Sequence, residues 1–155
     1  MSISRIDSLD LRILSELQRD GRLSIQDLSK RIGLSPTPCA RRLRILEQNR
    51  IIRGYSAIVD EVQLGFPISV FVSVKLDHQI DDRLQLFEAA IRQIPEVTDC
   101  WLMTGGRDYL VRVAVADLSE FERFLTGKLT KVEGVASIES SIPIRRVKAE
   151  SARLS

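Results

Sequence analysis

The residues best equipped for chemistry in this chain are arginines. Arg41, Arg42 and Arg44 stand close together behind Ser35 and Thr37, and Arg53 follows. A guanidinium is a rigid, permanently charged fork of donors that matches phosphate oxygens and the acceptor edge of guanine. A second group is Thr104-Gly105-Gly106-Arg107-Asp108-Tyr109. Successive glycines expose backbone N–H groups that can cradle a carboxylate. Asp108 offers a fixed negative charge for an α-ammonium, and Tyr109 a wall with a polar tip. The same residues also read as a hairpin turn, with Asp108 bonding its own backbone. His78 is the only histidine, so no histidine cluster can form, and the expectation is no metal. Cys39 and Cys100 lie far apart and read as buried free thiols. No nucleophile elbow or phosphate-binding glycine loop is present, so neither an enzyme nor a cofactor is expected.

The arginines need an element to aim them, and Ser24 to Glu47 supplies it. Ser24 reads as an N-cap with Asp27 completing a capping box. Ile25, Leu28 and Ile32 share a helical face, and Gly33 stops the helix. Ser35 caps a second helix, with Pro36 and Pro38 at first-turn positions where a missing N–H is tolerated. Cys39, Leu43 and Leu46 face inward, while Thr37, Arg41, Arg44 and Gln48 point elsewhere. This is the grammar of a helix-turn-helix whose second helix enters the DNA major groove. From Ser24 to Arg53, seven basic residues (Lys30, Arg31, Arg41, Arg42, Arg44, Arg50, Arg53) face two acidic ones (Asp27, Glu47), on a chain of net charge only +2. Such focusing suits phosphate binding.

An earlier helix starting at Asp7 presents Leu9, Ile13, Leu14 and Leu17 and ends at Gly21. Ile51 to Val59 is β-rich and reads as a strand or wing leaving the head, with Arg53 placed to touch a phosphate. Asp60 to Pro67 looks like a hinge. Beyond it the rhythm changes. Ile68–Leu76 alternates as a strand, Asp82–Ile94 is helical, and Val97–Met103 pairs with Tyr109–Ala116 around the glycine loop. Ser119 with Glu122 caps another helix, and Val135–Val147 is a long final strand. Strand, helix, strand, strand, helix, strand is the ferredoxin-like βαββαβ order, an α+β arrangement. Both helices then cover one sheet face, and Phe71 with Trp101 or Leu102 makes the other partly apolar, which implies association. The domains expected are 1–59, a hinge at 60–67, and 68–155. Residues 1–62 carry eleven basic and eight acidic side chains, and residues 63–155 twelve and thirteen, so the positive excess sits in front. No apolar run approaches the length of a membrane span, and the first residues lack the apolar core of a signal peptide, which points to the cytoplasm.

These landmarks closely resemble the Lrp/AsnC (leucine-responsive, feast/famine) family of bacterial and archaeal transcription regulators. The resemblance rests on Asp7-x-x-Asp10-x-x-Ile13-Leu14, Gly21-Arg22-Leu23-Ser24 and Leu34-Ser35-Pro36-Thr37-Pro38-Cys39 with Arg42-Leu43 and Leu46-Glu47. It continues through Ile51-Ile52 to Tyr55, Pro95-Glu96-Val97, Gly105-x-x-Asp108-Tyr109-Leu110 and Ser140-Ser141. It implies an N-terminal winged helix-turn-helix and a C-terminal effector-binding and oligomerisation domain. It also implies dimers assembling to tetramers or octamers on the nucleoid, and a small-molecule effector, commonly an amino acid, held between dimers. Ser140 and Ser141 fit last-strand positions that face a neighbouring loop. The alternatives are a ligand-independent architectural DNA-binding protein and, ranked lower, a metabolic enzyme or metabolite-binding module.

Overall fold

The computed structural model describes residues 6–78, 81–148 and 153–154, and the chain forms two compact units. The first unit runs to Ile58 and takes in the terminal stretch from Lys148; the second is Val59–Val147. Residues 149–152 and 155, at the end of the expected second domain, lie outside the described residues.

Three helices make the first unit: α1 (Ser8–Arg19), α2 (Ile25–Ile32) and α3 (Pro36–Gln48). Asp7 caps α1 by accepting from the N–H groups of Leu9 and Asp10, and the Asp10 carboxylate accepts from the Asp7 N–H to close a capping box. Ser24 caps α2 by accepting from the Asp27 N–H, but the box expected there is only half built. The Asp27 carboxylate takes the Ser24 hydroxyl instead, at 2.6 Å. Gly33, at φ +74°, makes the left-handed exit that a side chain would strain. Ile13, Leu14, Leu28, Ile32, Cys39 and Leu46 form the core, with Leu17, Leu23, Leu34, Leu43, Ile51, Ile52 and Leu154 packed on it. The α1–α2 contact is fastened at its edge, where Arg31 donates to Glu16 at 3.1 Å and Arg12 to the Arg31 carbonyl at 3.2 Å.

Ile51–Val59 was expected as a strand or wing, and it forms no strand. A β-rich segment becomes a strand only when a neighbour completes its hydrogen bonds, and Arg50 and Gly54 both adopt positive φ in and beside this stretch. Tyr55 ties it down instead, donating to Glu47 at 2.9 Å. Burial first, then that bond, pushes the Tyr55 pKa up to about 12.

The segment expected as a hinge, 60–67, carries a turn. Asp60 caps a turn by accepting from the Val62 and Gln63 N–H groups, and Phe66 N–H closes it onto the Glu61 carbonyl at 2.9 Å. The turn belongs to the second unit, pinned there by an ion pair from Arg112 to Glu61.

The second unit is an antiparallel sheet in the order β2-β3-β1-β4, built from β1 (Ile68–Leu76), β2 (Val97–Leu102), β3 (Tyr109–Val115) and β4 (Val135–Ser141). Helices α4 (Asp81–Ile91) and α5 (Leu118–Gly127) cover one face. Phe87, Ile91, Phe121, Phe124 and Leu129 close over Val70, Val72, Val74, Leu76, Tyr109, Val111, Val113 and Val115. Asp117, not Ser119, caps α5 by accepting from the Glu120 N–H, and Glu120 accepts in turn from the Ala116 N–H. The last strand stops at Ser141 rather than Val147. Pro143 has no N–H for a ladder, and Ile144 beyond it is fully exposed.

Register assigns the other face. Trp101 pairs with Leu110, and Leu110 with Ser73, so these share the uncovered side with Phe71 and Arg112; Leu102, opposite Tyr109, lies on the helix side. That uncovered face is more polar than expected. Arg112 sits in its middle, donating to Ser69, Thr98 and Glu61.

Asp7 holds its carboxyl below the ordinary carboxylate range, through the Asp10 N–H first and the Arg42 guanidinium next. A depressed folded pKa stabilises fully above the unfolded value, near pH 4, and that stabilisation is lost as pH falls through the folded value. Acid unfolding of the first unit, followed by helix circular dichroism between about pH 5 and 2, is therefore expected to be less steep in Asp7→Asn than in wild type.

Candidate functional site

The geometry of α3 begins with its prolines. Ser35 is the N-cap, yet its hydroxyl makes no capping bond. The usual donors are the second and third helical N–H groups, and Pro38 removes the third. Pro36 removes the first as well, so Thr37 contributes the one first-turn N–H without an intrahelical acceptor. The exposed Ser35 and Thr37 hydroxyls, with that N–H at the positive end of the helix dipole, suit a phosphate oxygen.

Arg41 and Arg44 are exposed one turn further on, three residues apart and so on one helical face. Among the described residues no ion pair engages either. Arg42, expected among the DNA-contacting residues, is different. Its guanidinium turns back onto α1 and donates to Asp7 at 2.7 Å and to Asp10 at 2.9 Å. Those two bonds raise the Arg42 pKa further, Asp10 contributing more than Asp7. A charge held by two carboxylates offers a phosphate little. Arg53 is exposed in the stretch after α3.

In the second unit the loop 104–108 divides into an open part and a buried part. Thr104, Gly105 and Gly106 are exposed, and Gly105 takes φ +104°, which needs glycine. Two cations bracket them. Lys75 donates to the Gly106 carbonyl at 3.2 Å, and Arg107 donates to Ser137 at 2.8 Å and Glu139 at 2.9 Å.

Asp108 and Tyr109 point elsewhere. Asp108 is 4% exposed, and its carboxylate accepts from the Leu76 N–H at 2.6 Å. It does so on the β3 side of β1, one step past the Val74–Tyr109 pair where that ladder ends, so it satisfies a backbone donor left without a strand partner. Tyr109 is 1% exposed, lies 4.5 Å from the Phe87 ring centroid, and donates to Glu88 at 3.0 Å. Both side chains are buried, away from the loop's exposed glycines. The Asp108 carboxylate bonds the backbone of β1 rather than its own.

Ser140 and Ser141 are exposed on β4, opposite Val72 and Phe71, whereas the loop meets β1 at Lys75. Arg107 of the loop reaches this strand at Ser137 and Glu139, just before the two serines. Cys39 is buried as expected, but Cys100 is exposed on β2. Sequence reasoning passed over Arg112, although a lone charge inside YLVRVAV is a signal that something must pair it. It passed over Lys75 and Arg107 because their meeting with the loop depends on register. No described helix is long and apolar enough to cross a membrane.

Comparison with known proteins then decides the family. The Lrp/AsnC ligand binding domain matches residues 69–153, and the winged helix-turn-helix DNA-binding domain matches residues 6–53. The chain belongs to the Lrp/AsnC family of DNA-binding transcription regulators. Similar Lrp/AsnC proteins include the Bkd operon transcriptional regulator of Pseudomonas aeruginosa, 46% identical over 150 residues, covering 97% of this chain and 98% of that one. The leucine-responsive regulatory protein of Escherichia coli K12 is 38% identical over 143 residues, covering 92% and 87%. Among solved structures, a transcriptional regulator of Neisseria meningitidis in complex with L-Met superposes at TM-score 0.90, with 34% identity and 95% coverage of both chains. Escherichia coli AsnC follows at TM-score 0.87, with 25% identity and coverage of 96% and 98%. The Lrp/AsnC proteins are regulators, not enzymes.

Arg42 and Arg41 should separate cleanly in DNA titrations. Arg42→Ala is expected to lower the melting temperature of the first unit while leaving the slope of log affinity against log salt nearly unchanged. Arg41→Ala should leave melting in place, and if Arg41 holds a phosphate it should reduce that slope by about one.

Proposed function

We propose that this regulator binds operator DNA through the N-terminal half of α3 and that its affinity or assembly answers to a small metabolite of the amino-acid class. The observation that carries the reading is the opposite aim of neighbouring arginines: Arg42 is clamped inward, while Arg41 and Arg44 stand exposed on the outer side of the helix. Ser35 and Thr37 anchor phosphate at the helix start, Arg41 and Arg44 reach base edges or phosphate, and Arg53 adds a backbone contact. The effector is held by the exposed loop 104–106 with Lys75 and Arg107 beside it, two cations suited to a carboxylate. Ser140 and Ser141 serve the loop of a neighbouring copy. Asp108 and Tyr109 support the site from beneath. Homodimers joined through the uncovered sheet face assemble to tetramers or octamers, and the protein works in the cytoplasm on the nucleoid. The complex of the Neisseria relative with L-Met supports the effector class.

A second reading, an architectural DNA-binding protein blind to ligand, is favoured by one observation. The two side chains best suited to an ammonium and a side chain, Asp108 and Tyr109, are buried.

The two readings part in a gel-shift titration with and without each of the twenty amino acids. The regulator reading expects one or a few amino acids to shift the midpoint, and Arg44→Ala to cost about 1–3 kcal/mol on the cognate sequence if Arg44 reads a base. A midpoint indifferent to all of them leaves the architectural reading.

A further inference from the structure

Charge along this chain is segregated by position. Residues 1–58 carry eleven basic and six acidic side chains, residues 59–141 eight and fourteen, and residues 142–155 four and one. The sheet is therefore acidic, and the positive excess sits at the two ends of the chain. Those ends belong together in the fold: the stretch from Lys148 clusters with the first unit, and Leu154 packs on that unit's apolar core. After β4 ends at Ser141, residues 142–148 are exposed throughout and form neither strand nor helix. Arg145, Arg146 and Lys148 stand in this stretch. Among the described residues no ion pair engages Arg145.

We propose that residues 142–148 are a second DNA-binding element, an arm that grips the duplex backbone through Arg145, Arg146 and Lys148 while α3 faces the bases. It rests on the DNA-binding reading above but not on which α3 residues make the contact. Duplex DNA is a dense line of phosphates, and each cation placed on it releases a counterion. Reading a base edge needs a side chain aimed by a rigid element, and no helix or strand frames these three. The arm therefore adds affinity without sequence preference. A second copy of the chain is the competing occupant, because Ile142, Ile144 and Val147 are exposed as well. The return of the tail to the first unit decides for DNA, since it carries the charge to the unit that binds the duplex.

The full-length protein is titrated by fluorescence anisotropy over a range of salt against two duplexes, one enriched from a random pool by the protein itself and one scrambled from it. Arg145→Ala/Arg146→Ala should reduce the slope of log affinity against log salt by about two for each bound subunit, equally on both duplexes. Arg145→Lys/Arg146→Lys should keep the wild-type slope, because a phosphate contact of this kind asks for charge alone. Melting temperature and sedimentation should match wild type in both variants. An unmoved slope, a loss confined to the enriched duplex, or a lysine pair that behaves like the alanine pair overturns the arm. So does a slope that falls only together with a smaller sedimenting species, the mark of a second copy as occupant. Arg41→Ala/Arg44→Ala, titrated alongside, reports on α3. A slope that moves there and not in the tail variant overturns the arm alone; one that moves only in the tail variant upholds the arm and overturns the α3 reading.

Discussion

Arg42 reaches back across the sequence to Asp7 and Asp10, and much of the DNA-binding unit follows from that contact. The two carboxylates are themselves locked together as the N-terminal cap of α1, so the guanidinium docks on a preformed acidic pair. This seats the middle of α3 against the beginning of α1. With Arg42 spent inward, the helical period sends Arg41 and Arg44 outward together. The capping box, the clamp and the aim of the two outer arginines are thus one arrangement. A first unit with a core of six buried residues among those described has little apolar surface to hold its helices in register. A specific polar fastening at the edge therefore matters more than it would in a larger domain.

The second unit solves a related problem with a different device. β1 outruns β3, so the Leu76 N–H beyond the Val74–Tyr109 pair has no ladder acceptor. Asp108, just before β3, accepts from it, and the loop before it is held where Lys75 and Arg107 can flank it. Loop and strand end support each other: the aspartate that looks chemically available in the sequence is the one that bonds the backbone beside the glycines. On the uncovered face Arg112 brings a charge into the middle of the sheet, and Glu61 in the capped turn neutralises it. A face that packs against another surface keeps a charge only if its partners are already in position, and Arg112 has Ser69, Thr98 and Glu61 before anything docks.

Local signals carried most of the architecture. Gly33 at a left-handed exit, Pro36 at a helix start and the alternation of Ile68–Leu76 each act within a few residues, and each reads correctly from the chain. The cap of α5 was misplaced because Asp117 and Ser119 are both good cap residues, and only the backbone conformation chooses. Ile51–Val59, read as a strand or wing, forms no strand because β propensity says a segment can pair, not that a partner is present, and the last strand ends early before Pro143, which has no N–H for a ladder. Side-chain direction was the least legible. Asp108 and Tyr109 are adjacent in sequence and chemically suited to a ligand, but strand register and the end of a ladder decide where they point. Arg42 looks like its neighbouring arginines in the sequence, and only the fold brings Asp7 and Asp10 beside it.

The account turns on which arginines of α3 are free to meet DNA. Side-chain guanidinium NMR of the full-length protein, recorded before and after adding an operator duplex, reads this residue by residue. The Arg41 and Arg44 Nε–H resonances should move on binding, while Arg42 keeps its position and its slow solvent exchange. Movement of Arg42 with Arg41 and Arg44 unchanged would contradict the account.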